Sequence, residues 1–204
     1  MREKRKLSEK KQCAFVADGE CEHWYLQMLK RNERGIRVTL KPEIPQKKSV
    51  SEQYNKVIEL IEDYTYIFWI VDLDVVLPNK TESNQLKGCI GKLKKFTNVV
   101  VILNNPCLEF WFLLHFQDTV KFYESFDKLK PELQKYLKDY EKTEKYYIQQ
   151  NNDIYKRLRP FLSNAMQNSK KYQSFDLDDF HKGISEMHKL FSNEIFQPIL
   201  NDKR

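Results

Sequence analysis

Short apolar runs recur along the first half of the chain and alternate with stretches of helical periodicity. The runs at residues 66–71 (YIFWIV) and 98–103 (NVVVIL) are rich in aromatic and β-branched side chains. Such runs are typical of parallel strands that are covered on both faces. A shorter run at residues 12–17 (QCAFVA) ends directly before Asp18 and Gly19, and it predicts a third buried strand.

Amphipathic helices are predicted between these strands. Residues 22–34 carry apolar side chains at one-turn spacing, and Gly35 is placed to end that helix. Ser49 and Glu52 form a capping-box pattern that introduces another helix. Its apolar face is predicted to comprise Tyr54, Val57, Ile58 and Ile61. A further helix is expected over residues 82–96, so helices follow both of the first two strands.

The alternation predicts an α/β fold with a central, mostly parallel sheet flanked by helices, Rossmann-like and doubly wound. Residues 108–116 (LEFWFLLHF) are too apolar for an exposed helix and are expected to pack on the sheet. We expect one compact domain in three parts. Residues 1–11 form a basic tail, residues 12–116 an α/β core, and residues 117–204 a helical extension packed on that core.

Composition and cysteine spacing indicate the cellular compartment of the protein. No stretch of its 204 residues approaches the roughly 18 apolar residues of a membrane span, so the sequence predicts a protein that is neither membrane-inserted nor secreted. The four cysteines show no CxxC pairing, which favours reduced thiols in the cytoplasm over a zinc site or disulfides. The cysteines are Cys13, Cys21, Cys89 and Cys107. Nothing in the sequence specifies an oligomeric state.

Two basic regions suit a nucleic-acid partner. The net charge is +6, and the first eleven residues carry six Lys or Arg against two Glu. Lysines and tyrosines are also frequent over residues 121–171, where they could contact phosphates and stack on bases. The first eleven residues are explained equally well as a solvated flexible terminus. Residues 121–171 are explained equally well as an ordinary solvated helix face or as a docking surface for another protein.

Acidic residues follow two of the predicted strands. The first strand leads into Asp18, Glu20 and Glu22, and the strand at 66–71 leads into Asp72 and Asp74. The carboxyl ends of parallel strands form a crevice where function gathers. Several carboxylates placed together repel one another, and a hard divalent cation such as Mg²⁺ offsets that repulsion. Acids at strand ends also cap helices or face solvent, but two acidic motifs in this order favour a metal site.

Three motifs in order resemble the RloB family. They are ADGECEHWY at residues 17–25, VDLDVV at 71–76 and LNNPCLEFWFLLHF at 103–116. The acidic arrangement also resembles the Toprim domain of topoisomerases, primases and OLD nucleases. The resemblance covers about residues 12–116. It implies a Toprim-like fold, a metal-dependent nuclease of bacterial anti-phage defence (abortive infection), a large ATPase partner protein, and DNA or RNA, including tRNA, as target.

The resemblance also implies roles for particular acids. Asp72 and Asp74 would bind Mg²⁺ or Mn²⁺ together with Asp18. Glu22 lies one helical turn beyond Asp18 and would join a second ion. Asp18 stands where the Toprim pattern has Glu, so its carboxylate is one methylene shorter, and Cys21 stands where Thr is common.

Two residues of the third motif have alternative roles. Glu109 either reaches the acidic cluster as a metal ligand or catalytic base, or stabilises the start of its helix, where negative charge is favoured. His115 is expected to be a hydrogen-bonded core histidine, with catalysis as the alternative.

Two other functions remain open alongside the nuclease. One is a non-catalytic regulatory subunit that binds nucleic acid or a partner protein. The other is a primase-like nucleotidyl transferase. The sequence argues against it, because it lacks a Gly-rich loop or P-loop lysine motif that could hold a triphosphate.

Overall fold

A four-stranded sheet lies at the centre of the structure, a computed structural model that describes residues 13–17, 19–33, 35–36, 49–172 and 181–201. The strands lie in the order β1 (Cys13–Val16), β2 (Tyr66–Asp72), β3 (Val99–Asn105) and β4 (Ile184–Ser185). The first three are parallel, and β4 runs antiparallel to β3. The mixed α/β class and the mostly parallel sheet are therefore confirmed.

Strand β2 has neighbours on both sides and apolar packing on both faces. Phe68 and Ile70 belong to one hydrophobic cluster, whereas Ile67, Trp69 and Val71 belong to another. Because successive side chains of a strand point to opposite faces, the uninterrupted apolar run fills both clusters. All five residues are at most 1% exposed, which confirms the predicted buried strand.

Helices α2 (Val50–Leu60), α3 (Leu73–Val76) and α4 (Lys80–Leu93) cover the face of Trp69. The predicted capping box starts α2, since Ser49 accepts a hydrogen bond from the Glu52 backbone and the Glu52 carboxylate accepts one from the Ser49 backbone. Asn79 caps α4 in a similar way, through hydrogen bonds from Thr81 and Glu82.

The buried face of α2 differs in part from the prediction. Val57 is fully buried as expected, but Ile58 is 38% exposed. Gln53 is buried instead, and its Oε1 accepts a hydrogen bond of 2.8 Å from Trp69 Nε1. A polar partner is needed there because a buried indole N–H is costly when unpaired.

The opposite face of the sheet carries α1 (Glu20–Asn32) and α5 (Leu108–Leu114). Every residue of α5 is buried, as its composition predicts. Trp111 stacks on Phe191 and donates a hydrogen bond to the Tyr25 hydroxyl, which joins α5 to α1. The third sequence motif is thus the centre of the larger hydrophobic cluster.

The second half of the chain supplies short helices that enclose α1 and α5. They are α6 (Phe126–Leu133), α7 (Glu144–Ile148), α8 (Ile154–Leu158), a 3-10 turn (Arg159–Phe161), α9 (Leu162–Lys171), α10 (His188–Ser192) and α11 (Gln197–Asn201). Asp153 joins them to α1: it is fully buried, caps α8 and accepts hydrogen bonds from Arg31 and Asn32.

The same part of the chain also contributes to the sheet. The sequence predicts only helices after residue 125, yet β4 pairs with the end of β3 through Asn104↔Ser185 and Asn105↔Ile184. Two residues are too few to give an alternating pattern. None of the helices in the described ranges is long and apolar enough to cross a bilayer. The basic tail at residues 1–11 and Asp18 lie outside these ranges.

Candidate functional site

The carboxyl end of β2 places Asp72 at the edge of the sheet where the parallel strands end. Asp72 is half-buried and pairs in register with Asn104 of β3. Its Oδ1 accepts a hydrogen bond of 3.2 Å from Asn104 Nδ2. Asn104 Oδ1 in turn accepts one of 2.7 Å from Ser185 Oγ. Strands β4 and β3 together therefore orient the amide group that contacts Asp72.

The connection from β3 to α5 brings further donor atoms to this edge. The carbonyl oxygen of Pro106 accepts hydrogen bonds of 2.9 Å from the backbone of both Leu73 and Asp74, so the start of α5 is attached to the start of α3. Cys107 is the N-cap residue of α5, and Glu109 lies in its first turn. This arrangement places both residues beside Asp72.

Asp72, Cys107 and Glu109 form the candidate metal-binding group. Each offers one ligand atom, and the three atoms lie within 4.8 Å of one another. Within the described ranges, no other group of three or more His, Cys, Asp or Glu side chains has its ligand atoms this close together. The group lies at the carboxyl ends of the strands, where the sequence predicts an acidic site.

Glu109 is fully buried and bound by residues from the helical extension. Its Oε1 accepts hydrogen bonds from Tyr140 Oη at 2.8 Å and Tyr147 Oη at 3.2 Å. Its Oε2 lies 3.0 Å from Lys142 Nζ, and the two tyrosine hydroxyls also share a short hydrogen bond. These contacts offset the cost of burying a charged carboxylate.

The pKa shifts follow from this packing. Burial opposes the charge of Glu109, but Lys142 and the hydrogen bonds from Cys107 and Tyr140 outweigh it and hold the Glu109 pKa below its ordinary value. Burial likewise opposes the charge of Lys142, and Glu109 raises the Lys142 pKa above its ordinary value. Burial, then Glu109 and Asp72, raise the pKa of the Cys107 thiol. Glu109 and Lys142 are therefore an ion pair, and Cys107 is a neutral thiol.

Glu22 lies beside Gly19, the N-cap residue of α1. It is buried at 3% exposure, and its carboxylate occupies the space that a Cβ atom at Gly19 would need. Because Gly19 has no side chain, the Glu22 carboxylate is able to occupy this space. Glu20 is exposed on the same helix.

The structure brings together only part of the acid set that the sequence predicts. Asp72 and Glu109 belong to the group of three, whereas Asp74, which is half-buried in α3, and Glu22 do not. Asp18 lies outside the described residues, so its place in the site stays a prediction. Glu109 lies in the first turn of α5, where a negative charge is favoured, and it is also bound by Tyr140 and Lys142 of the helical extension.

His115 is the core histidine that the sequence predicts. It is 1% exposed, its Nδ1 lies 2.9 Å from the Trp111 carbonyl oxygen, and burial lowers its pKa to about 4. At neutral pH the ring is uncharged, which is the state that a buried imidazole prefers.

Sequence reasoning missed Cys107, Lys142, Tyr140, Tyr147 and Ser185. Four of them come from segments more than thirty residues beyond Glu109 or from a strand of two residues, so no local spacing connects them with the acids. The available signal was indirect. A glutamate in an entirely apolar helix requires a cation and hydrogen-bond donors from elsewhere in the fold.

Comparisons with known proteins identify one relationship. A family model described as RloB-like protein matches residues 14–193. No curated protein matches, and no solved structure matches.

Proposed function

The chain belongs to the RloB-like family, and on that premise we propose that it is a metal-dependent enzyme of the Toprim type that cleaves phosphodiester bonds in nucleic acid. The observation that carries this proposal is the half-buried Asp72 at the carboxyl end of a central parallel strand, grouped with Glu109. A cluster of carboxylates at that edge of an open sheet is suited to a cation and a phosphate.

The carboxylate oxygens of the candidate group suit a hard divalent cation, but the Cys107 sulfur does not. Carboxylate oxygens are ligands that Mg²⁺ and Mn²⁺ prefer, whereas a thiol with a raised pKa is a poor ligand for them. We assign the cation to Asp72 and Asp74, with Asp18 and Glu22 as the remaining acids. A bound Mg²⁺ or Mn²⁺ supplies charge neutralisation at the phosphate and an activated water.

The residues around the acids would position them. Asn104, held by Ser185, fixes one oxygen of Asp72. Lys142 and the two tyrosines keep Glu109 ionised in a fixed place, so Glu109 adds negative potential beside Asp72 without needing to contact the cation. By the family resemblance, we place the activity in the cytoplasm, in bacterial anti-phage defence beside a large ATPase partner.

One observation favours a second candidate, a non-catalytic subunit that binds nucleic acid or a protein. The charge of Glu109 is already neutralised by Lys142, so part of the acidic group is satisfied within the chain. In that case the ion pair would be structural, and the remaining acids would bind no metal at physiological concentration.

Metal titration and cleavage distinguish the two candidates. We would titrate Mg²⁺ and Mn²⁺ calorimetrically into the wild type and the Asp72→Asn/Asp74→Asn double variant, then incubate each with mixed DNA and tRNA. Asp63→Asn, at an exposed site after α2, is the matched control. Metal binding and cleavage by wild type and control but not by the double variant support the nuclease. Equal behaviour of all three proteins contradicts it.

A further inference from the structure

An open hollow of about 790 Å³ lies in the helical extension, between the end of α5, the segment after α6, and α8. Its lining is notable for planar rings and cations. The rings are Phe116, Tyr136 and Phe161, and the cations are Lys135, Lys138 and Arg157. We refer to these six residues as the aromatic–cationic groove.

The rings of the groove are exposed to an unusual degree. Tyr136 is 42% and Phe161 40% exposed, and they are two of the five large apolar side chains that are exposed in the described ranges. Phe116 supports both rings: it stacks on Tyr136 at a centroid distance of 5.1 Å and lies 5.0 Å from Phe161. Ring surface held open in this way is a platform on which another flat ring can stack.

The charge of the groove indicates an anionic ligand. Its described lining includes Lys135, Lys138 and Arg157 and no carboxylate. Lys135 also lies 2.8 Å from Glu132, which is outside the lining. A smaller neighbouring hollow shares Lys138 and Arg157 but also includes two acids, Asp139 and Glu141, so its lining is less positive than that of the groove.

Arg157 lines the groove and is held in one orientation. Its Nε donates a hydrogen bond of 2.8 Å to the Asn152 carbonyl oxygen, and its Nη2 donates to Gln149 Oε1. The guanidinium carbon lies 4.4 Å from the centre of the Tyr146 ring. A guanidinium plane that is already fixed loses little conformational freedom when it binds a phosphate or stacks on a base.

Two routes connect the groove with the acidic group. Helix α5 carries Glu109 in its first turn, and Phe116 follows its last turn, so the two are roughly 10 Å apart along the helix axis. In addition, the Tyr146 ring beside Arg157 packs 5.2 Å from Tyr140, whose hydroxyl donates to Glu109. The groove and Glu109 are therefore linked through the packing of α5 and through the Tyr140–Tyr146 contact.

We propose that the aromatic–cationic groove binds an unpaired segment of nucleic acid, with bases stacked on Tyr136 and Phe161 and phosphates on Lys135, Lys138 and Arg157. The inference rests on the proposed function, because it assigns the form of nucleic acid that the acidic site would cut. In a duplex the faces of the bases are covered by their neighbours, whereas unpaired bases are free to stack on aromatic side chains.

Binding is measured by fluorescence anisotropy in EDTA, so that cleavage plays no part. The probes are labelled RNA and DNA single strands of about 12 nucleotides, within the usual size range for such sites, together with the matching duplexes and an abasic strand of equal length. We expect either single strand to bind about tenfold more tightly than its duplex and than the abasic strand.

Variants separate the rings from the charges. Tyr136→Ala/Phe161→Ala should weaken single-strand binding about tenfold or more, given the usual contribution of stacking, whereas Tyr136→Phe should bind as the wild type does. Log affinity falls with log salt concentration, and Lys135→Gln/Lys138→Gln should make this slope less steep by about 1.4. Ile58→Ala and Lys80→Gln, at exposed sites on α2 and α4, are the matched controls.

The outcomes distinguish this inference from the proposed nuclease. Equal affinity for single strand, duplex and abasic strand, or unchanged binding by the double alanine variant while it remains folded by circular dichroism, overturns the groove assignment. If the groove variants lose binding but no metal supports cleavage, the inference stands and the nuclease fails. If the wild type cleaves and the groove variants bind and cleave equally well, the nuclease stands and the inference fails.

Discussion

Lys142 Nζ lies 3.0 Å from Oε2 of Glu109, a carboxylate that has no exposure to solvent. The pair joins the helical extension to the first turn of α5, directly beside Asp72 of the sheet. Because the Lys142 side chain is 33% exposed, only one member of the pair is fully removed from water. The contact therefore fixes the buried acid while its cation stays in touch with solvent.

Lys142→Met should destabilise the protein. The substitution leaves the Glu109 charge buried with only uncharged hydrogen-bond donors to stabilise it. Breaking a fully buried pair costs about 3–5 kcal/mol, and the partial exposure of Lys142 lowers our expectation to about 2–3 kcal/mol. The measurement is the free energy of unfolding in urea.

The double variant Lys142→Met/Glu109→Gln is the control for this prediction. Without a buried charge, it should recover more than half of the stability that Lys142→Met alone loses. If the stability lost by the double variant equals the sum of the losses of Lys142→Met and Glu109→Gln measured separately, the two side chains do not interact.

The pH dependence of stability should contain a contribution from His115. Burial lowers its pKa to about 4, below the value of about 6.5 in an unfolded chain. The unfolded state therefore takes up the proton first, and this contribution is complete above about pH 6.5 and is lost as pH falls towards 4. The shift corresponds to an upper limit of about 3 kcal/mol.

Urea unfolding at pH 7.5 and pH 5 checks this expectation. His115→Phe keeps an aromatic ring in the site but cannot titrate, so its stability should fall less between the two pH values. His181→Gln, at an exposed histidine, should keep the full dependence. The pKa of His23 and of His188 is also lowered by burial, but both residues are present in all three proteins. An identical pH dependence of wild type and His115→Phe would contradict the prediction.

The elements around the sheet could be predicted because their signals are local. The run at residues 66–71 specifies β2 by its own composition, and Ser49 with Glu52 specifies the start of α2. Asp72 could be placed at the functional edge because the end of a buried strand is visible in the sequence. Ile58 could not be assigned correctly, since period alone does not reveal that Gln53 is required as a partner for Trp69.

The surroundings of the acids depend on contacts between distant segments. Lys142 is one of many lysines in its region, and no pattern distinguishes it from solvated ones before the fold is known. Ser185 reaches Asn104 only because two residues of chain pair with the end of β3. Such contacts are decided by tertiary packing, and they hold the two acids of the candidate group in place.

Asn104→Ala should weaken metal binding if Asp72 is a ligand. The amide of Asn104 fixes one oxygen of Asp72, and the loss of a group that orients a ligand typically costs about tenfold or more in metal affinity. Ser185→Ala, which removes the donor to Asn104 but leaves the Asn104 amide in place, should cost less affinity. Calorimetric titration of Mn²⁺ measures both effects. If Asn104→Ala binds Mn²⁺ as tightly as the wild type, Asn104 does not position a metal ligand.

Two glycines should respond in opposite ways to alanine. A Cβ atom at Gly183, just before β4, would overlap the Lys121 carbonyl oxygen and the Phe110 ring. Neither group is the movable end of a flexible side chain, so Gly183→Ala should destabilise the protein by about 1–3 kcal/mol. Gly88 lies within α4 with open space around its Cβ position, and Gly88→Ala should stabilise by about 0.5–1 kcal/mol, because alanine is the better helix former. Thermal unfolding of both variants beside the wild type gives the two signs, and a Gly183→Ala protein as stable as Gly88→Ala would show that Gly183 is not packed against Lys121 and Phe110 as described.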